Sequence, residues 1–309
     1  MSEMKVGVTA WKFGTGGLAA ELAEQGEIAE RIGFDSFWLP ESHFAGDTSI
    51  PQPLMLLAAI AARTSTIGLG TTSYLLPVRH PVQAAEEVAV LDRMSGGRVI
   101  LGVGRGFADS LFSVFDVPVK DKRKRFKANL DVMKAAWAGE PLPGSPDDAP
   151  ITLSPRPVQE PHPRIWVAAF GPLAIKQAGS LGLPYISSPM ETIDDLEAKY
   201  NAHQEHARDA GYDDIETVPV MRTLYISDKR TEVSEIRARL EAEGRGRMRA
   251  DEAGAEEWSI VGDASYVKDR VDEYRERLGL NYLIARGRIP GVSHEDQVAS
   301  HERLATLLH

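Results

Sequence analysis

The chain has 309 residues, 43% of them hydrophobic, with no cysteine and a formal net charge of −10. This is enough apolar material for a full core. It excludes a disordered chain, disulfides, thiolate metal sites and cysteine nucleophiles, and the acidic balance argues against nucleic-acid and anionic-membrane partners.

The longest apolar run, Leu54 to Ala62, falls far short of the ~20 residues needed to span a bilayer. Met1 leads at once into a strand. We therefore expect no signal peptide and a cytoplasmic location.

Lys5 to Ala10 reads as a first strand, and Leu18 to Ile32 as a helix closed by Gly33. Phe34 to Leu39 is a second strand, followed by the loop Pro40-Glu41-Ser42-His43-Phe44 and an apolar helix from Leu54 to Arg63. Thr66 to Ser73 alternates β-branched and small residues and reads as a third strand. Pro81 sits where a helix can start, and Val82, Ala85, Val88 and Leu91 give that helix one apolar face. Ser95-Gly96-Gly97 ends it, and Arg98 to Gly104 is a strand apolar on both sides. A strand, a helix and an all-apolar strand in so short a space predict a right-handed βαβ crossover in a parallel sheet.

Lys122 to Trp137 is helical, and Gly139 to Pro163 is a proline-rich excursion with room for a short hairpin. Strands follow at Arg164 to Ala169, Pro184 to Ser188, Thr217 to Ser227 and Leu280 to Arg286. Helices lie at Pro172 to Leu181, Ile193 to Ala210, Thr231 to Glu243, Asp263 to Arg277 and Glu295 to Leu308. Eight strands, starting near residues 5, 34, 66, 98, 164, 184, 217 and 280, each followed by a helix, predict a (β/α)8 TIM barrel over 1–309. The charged, glycine-rich stretch 244–257 reads as a mobile insertion. A doubly wound sheet is the competing fold, but Lys12 to Gly17 is a poor phosphate turn.

In a barrel, chemistry collects at the C-terminal strand ends. These supply Glu41 and His43, Thr72 and Ser73, Arg105, Phe170 and Gly171, Ser187 and Ser188, Arg222, and Arg286. No His and carboxylate spacing of the zincin type occurs, and no G-x-S-x-G. The pattern favours an organic cofactor or anion over a metal or a serine nucleophile. Arg105 stands between Gly104 and Gly106, where a ligand can approach the backbone and a guanidinium can grip a phosphate. The same residues are equally explained by tight packing and a solvated rim charge. Gly171-Pro172 at a helix start is either an anion site or an ordinary cap. His43 is either a proton donor or a half-buried residue bonded to Glu41. Arg123 and Arg125 either add to phosphate binding or belong to a solvated face.

The segments FDSFWLPESHF and GTTSYLLPVRHPVQAAEEVAVLDRMSGGRVILGVGRGF resemble the bacterial luciferase-like, flavin-dependent monooxygenase family. The long run from His80 to Arg98, followed by Gly102 to Gly106, carries the likeness, and a weaker match extends over Arg164 to Ser188 and Val261 to Asp263. The resemblance implies a TIM barrel with insertions. It places a cis peptide at Thr72-Ser73 beneath a flavin ring, puts Gly104 and Arg105 at the flavin phosphate, and offers Phe170-Gly171 as a second contact and Arg123 or Arg125 as a third. It implies reduced FMN delivered by a separate flavin reductase, molecular oxygen, and a flavin hydroperoxide that oxygenates a small organic substrate, with His43 and Glu41 as catalytic candidates. A homodimer is implied as well. Ser42 stands where luciferases carry a first histidine, which argues against light emission. Two other readings stay open: hydride transfer with the deazaflavin coenzyme F-420, and a non-catalytic flavin-binding partner subunit.

Overall fold

The computed structural model describes residues 4–13, 18–245 and 253–308. Among them are ten strands: β1 (Lys5–Thr9), β2 (Ser36–Leu39), β3 (Gly68–Thr71), β4 (Tyr74–Leu75), β5 (Val99–Gly104), β6 (Arg164–Ala168), β7 (Tyr185–Ile186), β8 (Pro219–Ile226), β9 (Ser259–Gly262) and β10 (Tyr282–Arg286). Their registered pairings are all parallel. The chain forms two compact units, one from residues 1–13, 25–38 and 167–309, the other from 14–24 and 39–166. The division passes through β2 and β6.

In the first unit the strand order runs β2-β1-β10-β8-β9, with β6 paired to β7. Val6, Val8, Val220, Leu283 and Ile284 are fully buried. This is why these strands read as unbroken apolar runs rather than alternating ones. Gly7 lets β1 lie close to β2, because a Cβ there would meet Ser36 Oγ at 2.3 Å and Trp38 Nε1 at 2.6 Å. The strand β9 was not visible in the sequence. It is four residues long, adjoins the stretch expected to be an insertion, and pairs with β8 from Thr223 to Ile226. Seven of the residues in that stretch, 246–252, lie outside the described residues.

In the second unit β5 pairs with β3 and β4. Thr66 to Ser73 is thus not one strand. β3 stops at Thr71, and the chain resumes pairing at Tyr74, opposite Val103. The helix Pro81–Met94 covers β5, and it carries one residue that its apolar face does not predict. Asp92 is fully buried and accepts Val158 N at 2.7 Å, Gln159 N at 2.9 Å and Gln159 Nε2 at 2.6 Å. One carboxylate thus fastens the proline-rich excursion. That excursion contains only an isolated bridge, Pro141 to Thr152, in place of a hairpin.

Candidate active site

Arg79, Arg105, Arg123 and Arg125 and the pair Glu41 and His43 lie in the second unit. β3 ends in the Thr72-Ser73 peptide, which is cis. Thr72 N donates to Leu39 O at 2.8 Å, so the segment is tied to the end of β2. β4 then brings Leu75 opposite Gly104. The missing side chain of Gly104 matters here. A Cβ would come 2.0 Å from Ser73 Oγ and 2.8 Å from Ser73 Cβ. Glycine therefore lets β5 close against Ser73.

Arg105 follows at once. Its guanidinium is held below its ordinary value by burial and then by the charge of Arg123. The structure thus brings Arg105 and Arg123 close enough for their charges to act on each other. Arg125, two residues along the same helix (Lys122–Trp137), is differently engaged: its Nε donates to Pro77 O at 3.0 Å.

The Glu41 side chain is fully buried and accepts three hydrogen bonds. Its Oε1 accepts from His43 Nε2 at 2.7 Å and from Arg79 Nη1 at 2.8 Å, and its Oε2 accepts from Leu75 N at 3.0 Å. Arg79 stacks on the Tyr74 ring at 3.8 Å, and Tyr74 OH donates to Glu87 at 2.6 Å. Burial alone would lower the Arg79 guanidinium, but Tyr74 and Glu41 outweigh it and raise it. Burial pushes the Tyr74 phenol well up, so it stays protonated and donates. Arg79 Nη2 is buried without a protein partner. His43 meets Phe115 edge-on at 5.1 Å and, with Arg79, lines a cavity of about 180 Å³. Ser42 is occupied in pinning its loop: its Oγ accepts from Ile50 N at 2.9 Å. Phe44 next to it is exposed, at φ +58°.

The remaining candidates belong to the first unit. Gly171 caps the helix Pro172–Ser180 in extended backbone, with open space where a side chain would stand, and Phe170 is exposed. Ser187 Oγ accepts from Met221 N at 3.2 Å. Arg222 is fully buried, and its donors serve Tyr274 OH and the carbonyls of Ser188, Met221 and Glu191. That bonding makes it structural. Arg286 binds Thr223 and Glu243.

Sequence reasoning overlooked Arg79, Tyr74 and Asn129. Asn129 had a signal, since it is a polar residue in the stripe Phe126, Leu130, Met133. It is buried, and its Nδ2 donates to Leu76 O at 2.8 Å and Arg79 O at 3.0 Å.

The donor set fits the phosphate end of a flavin mononucleotide. Two guanidiniums whose charges act on each other would be relieved by a bound dianion. Among the described residues, no group of three or more His, Cys, Asp or Glu could hold a metal ion. No described helix is long and apolar enough to cross a membrane.

The chain resembles known proteins in sequence and in fold. The sequence profile of luciferase-like monooxygenases matches residues 4–281. The chain is 32% identical over 215 residues to the oxygenase component of flavin-dependent trigonelline monooxygenase from Acinetobacter baylyi, covering 67% of this chain and 59% of that one. The chain spans 46% to 59% of the length of the first curated relatives it matches. It superposes with TM-score 0.83 at 19% identity on the oxygenating constituent of 3,6-diketocamphane monooxygenase of Pseudomonas putida in complex with FMN, over 99% of this chain and 97% of that one. The coenzyme F-420-dependent tetrahydromethanopterin reductase of Methanopyrus kandleri gives TM-score 0.72 at 20% identity, over 98% of each chain. These likenesses establish the fold class as the luciferase-like (β/α)8 barrel with insertions.

Proposed function

The chain belongs to the luciferase-like monooxygenase family, and from that membership we propose that it is the FMN-dependent oxygenating component of a two-component monooxygenase. The observation that carries the reading is the close seat at the end of β5, where Gly104 lets the strand close against Ser73 immediately before Arg105, whose charge Arg123 opposes. Arg105 and Arg123 hold the phosphate, and Thr72, Ser73 and Gly104 support the ring. When bound, reduced FMN supplies the electrons that activate dioxygen. A separate reductase delivers it.

His43 is the candidate for contact with the reacting substrate. The Glu41 carboxylate can only accept, so His43 Nε2–H donates to it. In its neutral form the ring then offers Nδ1 as an acceptor. His43 thus presents Nδ1 to the substrate as a hydrogen-bond acceptor, and Glu41 orients it. Arg79 fixes the Glu41 carboxylate through their 2.8 Å ion pair. His43→Ala with turnover unchanged would remove this assignment. The protein also works as a homodimer in this reading. Met55, Val90 and Met94 are exposed apolar side chains on the helices Pro53–Ala61 and Pro81–Met94. A monomeric mass by light scattering would contradict that.

The deciding experiment is an anaerobic titration of the apo-protein with reduced FMN and, separately, with reduced coenzyme F-420. FMN binding followed by oxygen-dependent substrate oxidation supports the proposal. Binding of the deazaflavin alone moves the protein to hydride transfer, and binding of neither makes it a non-catalytic subunit.

A further inference from the structure

We propose that Arg125 and Asn129 are positioning residues: they lock the helix that carries Arg123 onto the turn behind Ser73, and so hold the ring seat without touching the phosphate. The inference rests on the flavin reading above.

Hydrogen bonds tie the helix of Arg123 to this turn. Leu75 pairs with Gly104, and Arg105 follows Gly104. The charge of Arg123 acts on Arg105. From the helix of Arg123, Arg125 Nε reaches Pro77 O at 3.0 Å, and Asn129 Nδ2 reaches Leu76 O and Arg79 O at 2.8 and 3.0 Å. The turn Leu76–Val78 is thus held on both sides by one side-chain amide, and Arg79 N closes it onto Leu76 O at 3.2 Å. The turn connects directly to Leu75, and through Arg79 to Glu41 and His43. An amide that donates twice to carbonyls has no donor left, and its loss would take this donor from Arg79 O and leave Leu76 O with Arg79 N alone. Arg125 differs from Arg123 in the same way, because its Nε is committed to a backbone carbonyl. Two neighbouring arginines on one helix therefore do different work.

The two roles separate when flavins with and without phosphate are compared on the full chain. Dissociation constants for FMN and riboflavin are measured by fluorescence. Arg105→Ala and Arg123→Ala should weaken FMN tenfold or more and leave riboflavin unchanged. Arg125→Gln and Asn129→Leu should weaken both flavins by the same factor, three- to tenfold, and change the visible circular dichroism of bound riboflavin. Arg125→Lys, which keeps a donor, should recover part of the loss. Asp92→Asn, a destabilising change elsewhere in the same unit, should leave that spectrum as in the wild type. Phosphate-selective weakening by Arg125→Gln, or an unchanged riboflavin spectrum in both Arg125→Gln and Asn129→Leu, would overturn the proposal. If the wild type binds no flavin, the functional reading fails by itself. Hydrogen exchange of the free protein then tests the brace. Asn129→Leu should speed exchange over residues 73–79, and an unchanged rate there would refute it.

Discussion

Replacing Gly104 by alanine tests the geometry of the site with a single methyl group. The new Cβ would stand 2.0 Å from Ser73 Oγ, 2.8 Å from Ser73 Cβ and 3.4 Å from Leu75 Cδ2. Rotating Ser73 about χ1 moves its Oγ away but leaves its Cβ in place. Carbon atoms pack at about 3.5 Å or more, so the Ser73 backbone must retreat by roughly 0.7 Å. Forcing a methyl into a filled space costs about 1–3 kcal/mol. Carried into the bound form, that is roughly a five- to hundredfold loss of FMN affinity at about 1.4 kcal/mol per decade. Fluorescence quenching on titration reads it directly, with thermal unfolding alongside to divide the cost between binding and folding. The double variants make the test specific. Ser73→Ala in the Gly104→Ala background removes only the 2.0 Å contact and should restore part of the affinity. Ser73→Gly removes both short contacts and should restore most of it. Wild-type affinity in Gly104→Ala alone, or no rescue by Ser73→Gly, would refute the packing argument.

Arg105→Ala should weaken FMN binding by about one to two decades, since a charged hydrogen bond contributes ~1.5–3 kcal/mol; equal affinity would remove Arg105 from the phosphate. Glu41→Gln leaves the buried Arg79 guanidinium without its counter-charge and should cost about 3 kcal/mol in urea unfolding. The paired change Glu41→Leu with Arg79→Met should cost less than Glu41→Gln alone, and a larger loss would count against the ion pair. Burial lowers His301 to about 3, while in the unfolded chain it titrates near ~6.5. The unfolded state therefore binds this proton first. The stability it confers is complete above pH ~6.5 and declines as pH falls towards 3, by about 2 kcal/mol at pH 5. His301→Gln should flatten that part of the stability–pH curve, and an unchanged slope would refute the assignment. Asp92→Asn turns two donors of the excursion against an amide N–H. It should open 139–163 to limited proteolysis, and wild-type resistance would argue against the anchor.

The sequence by itself determined the barrel and where along the chain its chemistry lies. Parallel strands buried on both faces must be apolar throughout, so Val99 to Val103 and Leu283 to Ala285 declare themselves without any partner in view. Proline at helix starts and glycine after helix ends are local steric rules, and they located Pro81, Pro172 and Gly33. Glu41, His43 and Arg105 were legible because strand ends in this architecture carry polar residues. The tertiary structure decided what each of them does. Arg123 and Arg125 are indistinguishable in composition and spacing, and only the position of Pro77 beside their helix separates them. Asp92 and Asn129 are polar residues on apolar faces, and their burial follows from carbonyls and amides far along the chain. Short β4 and β9 are defined by their pairing with β5 and β8. Buried polar groups take their meaning from distant partners, so their roles appear only once the chain has folded.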